Sequence, residues 1–231
     1  RLTTEISIPS RYLVLLPDSQ LIGVSSRIDA DAERQRLKTL LQGYAERTGF
    51  GYIVRTNAEG IEDSLIEQDI AYLNRAIGVL NQRRQSAKVG ECIYEDLSLP
   101  MRAVRDMLHA GVAAVLIDSR ESFEKVQRFA QALMPELAGR IQLYDGSRPI
   151  FDLYGVEDDI SRALNKEVPL KSGGYLVFDQ TEAMTSVDIN TGSFLGQKNL
   201  EETAYRTNLE AAQAVARQLR LRNLGGIIII D

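Results

Sequence analysis

Apolar positions recur along this chain with two periods, and the alternation between them predicts the order of its elements. Residues 11–17 (RYLVLLP) read as a strand, bounded by Pro9 and by the turn Pro17-Asp18-Ser19. Residues 22–28 read as a second, weaker strand. Leu37, Leu40, Leu41 and Tyr44 then fall on one stripe at helical spacing, which predicts a helix over 31–46. The run 49–54 reads as a strand that delivers Arg55 and Thr56 at its end, followed by a turn over 57–60. Leu65, Ile66, Ile70, Leu73, Ile77 and Leu80 predict a long helix over 62–84. Gly90 and the polar stretch 85–88 mark a boundary after it.

The middle of the chain alternates strand and helix in shorter pieces. A strand is expected over 91–94, a helix over 100–110, and a strand over 112–117, whose unbroken apolar run suits a strand covered on both faces. A helix over 122–134 is stopped by Pro135, and a strand follows over 141–144. The turn at Asp145-Gly146 leads to 150–153, and a helix over 156–165 closes this part. No internal repeat and no low-complexity tract interrupts the pattern.

The last sixty residues carry the most organised pattern. Two apolar runs, 175–178 and 185–189, flank a turn at 179–183; a helical pattern spans 200–222; and Gly225–Asp231 (GGIIIID) reads as a final strand. Asn199 and Glu202 form a capping box, and Asn223 with Gly225 suits a left-handed stop. Glu201 and Glu202 at the start, with Arg217, Arg220 and Arg222 at the end, match the helix dipole. Strand, helix and strand in that order make a crossover unit, which in a parallel arrangement brings both C-terminal strand ends to one edge. Asp188 and Asp231 then meet where open α/β sheets place their ligands. Two converging carboxylates repel unless a cation lies between them, and Mg²⁺ suits one or two carboxylates completed by water and phosphate.

Composition narrows the classes. With 231 residues, 44% of them hydrophobic, the chain can bury a core and hold more than one domain. The apolar runs are too short to span a bilayer and no signal peptide opens the chain, so no membrane segment and a cytoplasmic location are expected. The single cysteine, Cys92, excludes an internal disulfide and cannot alone build a zinc site. A net charge of −5 counts weakly against a nucleic-acid partner, although Arg217, Arg220 and Arg222 form a local basic cluster. The start at Arg1 and the stop after four isoleucines lead to the expectation of a piece of a longer protein.

Few residues carry candidate chemistry. Asp188 and Asn190 lie two apart on an extended run and so share a face, with Ile189 pointing the other way. Asp188–Gly192 is equally readable as a polar turn after a strand, and Asp231 as a strand-terminating residue. Arg55 and Thr56 could form an anion clamp, a guanidinium fork beside a hydroxyl, or could be an exposed strand end. His109, the only histidine, ends an amphipathic helix and offers no acid–base partner.

Longer motifs resemble a known family. Ser172–Tyr175 (SGGY), Asp179–Met184 (DQTEAM), Val187–Gly192 (VDINTG), Glu201–Thr203 (EET), Thr207–Ala211 (TNLEA) and Ala216–Gly226 (ARQLRLRNLGG) are together similar to the ribonuclease E/G family, nearest its G branch. The likeness covers essentially the whole chain and is densest after Pro149. It implies a Mg²⁺-dependent endonuclease that cuts single-stranded RNA to leave a 5′-phosphate and a 3′-hydroxyl. Asp188 and Asp231 match the metal-binding aspartates, and Asn190 the catalytic asparagine. Arg55 and Thr56 match the residues that contact a 5′-monophosphate, and Val14 the apolar residue near the terminal nucleotide. Where some relatives carry a double arginine after a serine, this chain has Ser26-Arg27.

The resemblance implies an α/β, multi-subdomain chain. Residues 1–5 would end an S1 domain, 6–100 form the 5′-sensor, 101–165 part of an RNase H-like subdomain, and 166–231 the first half of a DNase I-like catalytic subdomain. It also implies a homo-oligomer in which Zn²⁺ is shared through residues outside this chain. A non-catalytic RNA-binding protein that keeps the clamp and uses the carboxylates structurally is the alternative.

Overall fold

The computed structural model describes residues 3–191 and 200–231, and the chain divides into two compact units, Arg1–Asp145 and Gly146–Asp231. It is a mixed α/β protein.

The first unit is built on a four-stranded sheet. Its strands are β1 (Ile8–Pro9), β2 (Leu13–Leu16), β3 (Ile22–Val24) and β4 (Gly51–Val54), in the order β1-β2-β4-β3. β4 runs antiparallel to β2 and parallel to β3. Helices α1 (Asp31–Thr48) and α2 (Asp63–Ser86) match the two long apolar stripes of the sequence. Leu13, Leu15, Tyr52 and Val54 alternate onto one face of the sheet and are fully buried against Leu37, Leu41, Ile66 and Leu73. Burying one such side chain is worth about 1.5–3 kcal/mol, so this face fixes the register of β2 against β4. Gly49 ends α1 at φ 74°, a left-handed conformation that glycine adopts without strain.

The same core continues through α3 (Leu99–Met107), β5 (Val115–Ile117), α4 (Arg120–Leu133) and β6 (Ile141–Leu143). β5 and β6 form a two-stranded parallel sheet. β5 is shorter than the expected 112–117 and only half-buried; among the described residues β6 is its one strand partner. Residues 91–94 do not form the expected strand: among the described residues no strand pairs with them, and Ile93 and Tyr94 pack on the core from a loop.

The second unit begins with the short helices α5 (Ile150–Leu153) and α6 (Val156–Leu164). Strands β7 (Glu167–Pro169), β8 (Tyr175–Gln180), β9 (Met184–Asn190) and β10 (Ile227–Ile230) form a sheet in the order β10-β9-β8-β7. β8 and β9 make the expected antiparallel hairpin, and α7 (Leu200–Leu221) returns the chain to β10, parallel to β9. Leu176, Phe178, Val187, Ala211 and Val215 close a small core between one sheet face and α7. Asn223 takes the left-handed conformation after α7 (φ 52°), while the glycine with positive φ is Gly226 rather than the expected Gly225. The expected cap Asn199 lies outside the described residues.

Candidate active site and phosphate clamp

In the second unit, the ladder between β9 and β10 sets the geometry. Ile230 pairs with Val187. The Asp231 amide donates to the Val187 carbonyl at 3.0 Å, and the Ile189 amide donates to the Asp231 carbonyl at 3.0 Å. Those two bonds are the parallel pattern that sets Asp231 directly opposite Asp188, so both carboxylates leave the same face of the sheet. That face is the one α7 does not cover, and both aspartates are exposed. Asn190, two residues on, shares the face, and its Nδ2 donates to Asp188 Oδ2 at 2.8 Å. Ile189 points the other way and packs on the apolar cluster under α7.

The end of β9 is held from behind by residues that the sequence offers within the SGGY and TNLEA motifs but without a role. Tyr175 pairs with Asn190. At Gly174, just before it, a Cβ would stand 2.5 Å from the Asn190 carbonyl oxygen and 3.2 Å from a Thr207 methyl, so only glycine allows this approach. Glu210 on α7 accepts from the amides of Lys171 (2.5 Å) and Ser172 (3.0 Å), and hydrogen bonds from Ser172 and Lys171 keep its carboxyl below the ordinary range. Among the described residues no group of three or more His, Cys, Asp or Glu side chains comes together. A cation at this point would therefore have two carboxylates and a side-chain amide around it. That all-oxygen set fits Mg²⁺, which keeps water and phosphate in its other positions, and does not fit a closed zinc site.

In the first unit, Arg55 and Thr56 follow β4 directly. The pairings Leu13 to Val54 and Val14 to Ile53 place Val14 and Ile53 on the sheet face opposite the core, and Arg55, two residues after Ile53, follows them. Val14 and Arg55 thus share one surface, with Gly23 of β3 beside Ile53. The Thr56 hydroxyl lies 3.0 Å from the Ser25 hydroxyl. Ser26 and Arg27 are exposed in the turn after β3.

Arg55 is half-buried. Its Nη1 donates to the Ser10 carbonyl and to the Arg11 carbonyl (3.1 Å), and lies 3.5 Å from Asp106. Asn57 Nδ2 donates to the same Arg11 carbonyl at 2.6 Å. The loop that offers these carbonyls is fixed on its other side by Asp69. That carboxylate accepts from the Ser10 hydroxyl (2.5 Å) and from the amides of Arg11 (3.1 Å), Tyr12 (2.9 Å) and Leu13 (3.0 Å). Burial pushes the Asp69 carboxyl above its ordinary range, against the pull of those four donors. Asp106 differs. Partial burial pushes its carboxyl up, but the Arg105 hydrogen bond and the charges of Arg105 and Arg55 outweigh that and hold it low. Asp69 left a signal in the sequence, because it stands between Ile66 and Leu73 in the apolar stripe of α2, where an unpaired charge would be costly. Asp106 left none.

Cys92 is an exposed free thiol, and the exposed His109 accepts from the Gly111 amide at 3.1 Å. Among the described residues no helix is long and apolar enough to cross a membrane.

Comparison with known proteins agrees with the motifs. The model of the ribonuclease E/G family matches residues 7–231. Ribonuclease G of Salmonella typhimurium (strain SL1344) is 49% identical over 231 residues, covering 100% of this chain and 47% of the relative. Ribonuclease G of Haemophilus influenzae (strain Rd) is 48% identical with the same coverage. Ribonuclease E of Escherichia coli (strain K12) is 38% identical over 232 residues, where the chain spans 22% of the relative. The chain thus spans about half the length of the ribonuclease G relatives. With a family match over nearly its whole length, and the motif aspartates brought into register on one open sheet face, the chain belongs to the ribonuclease E/G family.

Proposed function

We propose that the protein containing this chain is a Mg²⁺-dependent endoribonuclease that cuts single-stranded RNA and prefers a 5′-monophosphate. The observation that carries the reading is the in-register pair Asp188 and Asp231, exposed on the open face of the sheet with Asn190 beside them. The two aspartates would hold Mg²⁺, which when bound supplies Lewis-acid charge at the scissile phosphate. Asn190 uses one amide hydrogen to orient Asp188, which leaves its second hydrogen and its carbonyl oxygen for a phosphate oxygen or the attacking water. Hydrolysis adds water to phosphorus and breaks the O3′–P bond, which leaves a 3′-hydroxyl and a 5′-phosphate.

Arg55 and Thr56 would bind the 5′-terminal phosphate of the same strand. With Nη1 committed to the loop carbonyls, Arg55 presents its remaining N–H groups, and Thr56 its hydroxyl, to a terminal oxyanion. Val14, on the same sheet face as Arg55, would meet the terminal nucleotide. The clamp recognises and the carboxylates act. The test is to incubate the full-length protein with a short single-stranded RNA and with the matching DNA, with and without Mg²⁺, and to map the ends. Cleavage of RNA alone, only with Mg²⁺ and with 5′-phosphate ends, is the expected result. RNA binding without cleavage under all conditions would make the protein a binding module instead.

A further inference from the structure

Arg55 does not stand alone at the end of β4: it leans on a wall made by the last turn of α3 and the loop before β2. Asp106 is the carboxylate of that wall. Arg105, only 7% exposed, grips Asp106 with both edges of its fork, Nε to Oδ1 at 2.9 Å and Nη2 to Oδ2 at 2.8 Å. Arg105 Nη1 also donates to the Pro9 carbonyl at 3.4 Å. The wall is tied from the other direction by Arg11, whose Nη2 donates to the carbonyls of Arg105 (3.4 Å) and Leu108 at the end of α3. Asp106 therefore has its plane set by a buried arginine before it meets Arg55 at 3.5 Å.

We propose that Asp106 is a positioning residue for recognition of the RNA 5′-phosphate: held by Arg105, it fixes the Arg55 guanidinium so that its free edge is aimed at a terminal phosphate. The inference rests on the reading of Arg55 as the phosphate ligand. A guanidinium on a flexible stem loses rotamer freedom when it binds an anion, and holding it in advance removes part of that cost. A carboxylate beside an anion site would ordinarily repel the anion. Here the bidentate pair with Arg105 already balances the charge of Asp106, so its steering of Arg55 outweighs its repulsion of the phosphate.

The test compares the full-length protein with its Asp106→Asn, Arg105→Lys and Arg55→Ala variants. The substrates are one single-stranded RNA carrying either a 5′-monophosphate or a 5′-hydroxyl. The quantity read is the ratio of kcat/KM between the two RNAs. Asp106→Asn should lower that ratio about fivefold to tenfold, through a higher KM on the monophosphorylated RNA at constant kcat. Arg105→Lys keeps the charge but loses the fork, and should lower the ratio less. Three outcomes would overturn the proposal while leaving the clamp reading intact, provided that Arg55→Ala abolishes the preference. They are an unchanged ratio in both wall variants, a raised ratio in Asp106→Asn, showing that the carboxylate competes with phosphate, and an equal loss on both RNAs, showing a role in folding alone. If Arg55→Ala itself leaves the ratio unchanged, the clamp reading falls and this proposal falls with it.

Discussion

Arg55 and Asp188 both stand near the C-terminal end of a strand, yet they are held in different ways. Arg55 is braced by two loop carbonyls and a carboxylate, and that loop is pinned in turn by the buried Asp69. Behind it lies a core that runs continuously from Ile8 to Ile141. Asp188 is exposed, bonded to Asn190, and set by the sheet ladder, with Val177 opposite on β8 and Asp231 opposite on β10. Among the described residues, the core beneath it has six buried apolar side chains. A group that recognises one terminal phosphate gains from an orientation fixed in advance. A pair of metal-binding carboxylates needs its spacing fixed, which a parallel ladder does, while its oxygens stay open to the ion, water and substrate.

The largest effect is expected at the carboxylates. Asp188→Asn in the full-length protein should lower cleavage of single-stranded RNA by about 10³-fold, the scale of losing several kcal/mol of charge stabilisation at the phosphate. RNA binding, read by filter retention, should persist. A variant that cuts at the wild-type rate would remove Asp188 from the chemistry. The clamp should have a smaller and more selective effect. Arg55→Ala should reduce kcat/KM on 5′-monophosphorylated RNA by roughly tenfold to a hundredfold relative to the 5′-hydroxyl form, as expected for a charge-assisted hydrogen bond of about 1.5–3 kcal/mol. Equal effects on both RNAs would make Arg55 a scaffold residue.

The smallest effect concerns the network around α1. Glu33 is held down to a pKa of about 2, from 4.5, by Arg36 and the Gly60 amide. A carboxyl depressed on folding contributes stability that is present above its unfolded pKa and lost as pH falls through its folded one. Glu33→Gln should therefore cost about 1 kcal/mol near neutral pH, less than the full shift implies because solvent screens the pair. The gap in stability between wild type and variant should narrow as pH falls from about 4.5 towards 2. A gap that is constant over that range, by chemical denaturation, would show that the ion pair does not carry the effect.

What the sequence disclosed follows the range of the interactions. The β8–β9 hairpin, α1, α2 and α7 were legible because their apolar patterns and turn residues are local. The opposition of Asp188 and Asp231 was legible too, since the order strand, helix, strand brings to one edge two strand ends that each carry a carboxylate. Segments whose state depends on a distant neighbour were not. Among the described residues, 91–94 have strand composition but no strand pairs with them, and β5, with β6 as its one strand partner, is shorter than expected. The wall behind Arg55 was hidden for the same reason. Asp69 marks itself as a charge in an apolar stripe, but its partner Ser10 lies 59 positions away, and Asp106 reaches Arg55 from α3, so neither partner was readable locally. Gly174 belongs here as well: its need for glycine arises from the Asn190 carbonyl on the neighbouring strand.

On the proposed function, Asp188 and Asp231 act as one metal-binding pair. Its most direct test is the Mg²⁺ dependence of RNA cleavage by the full-length protein and its Asp231→Asn variant, each titrated to saturation. The pair predicts a variant that needs more Mg²⁺ for half-maximal rate and stays far below wild type at saturation. Wild-type turnover with an unchanged Mg²⁺ requirement would contradict it.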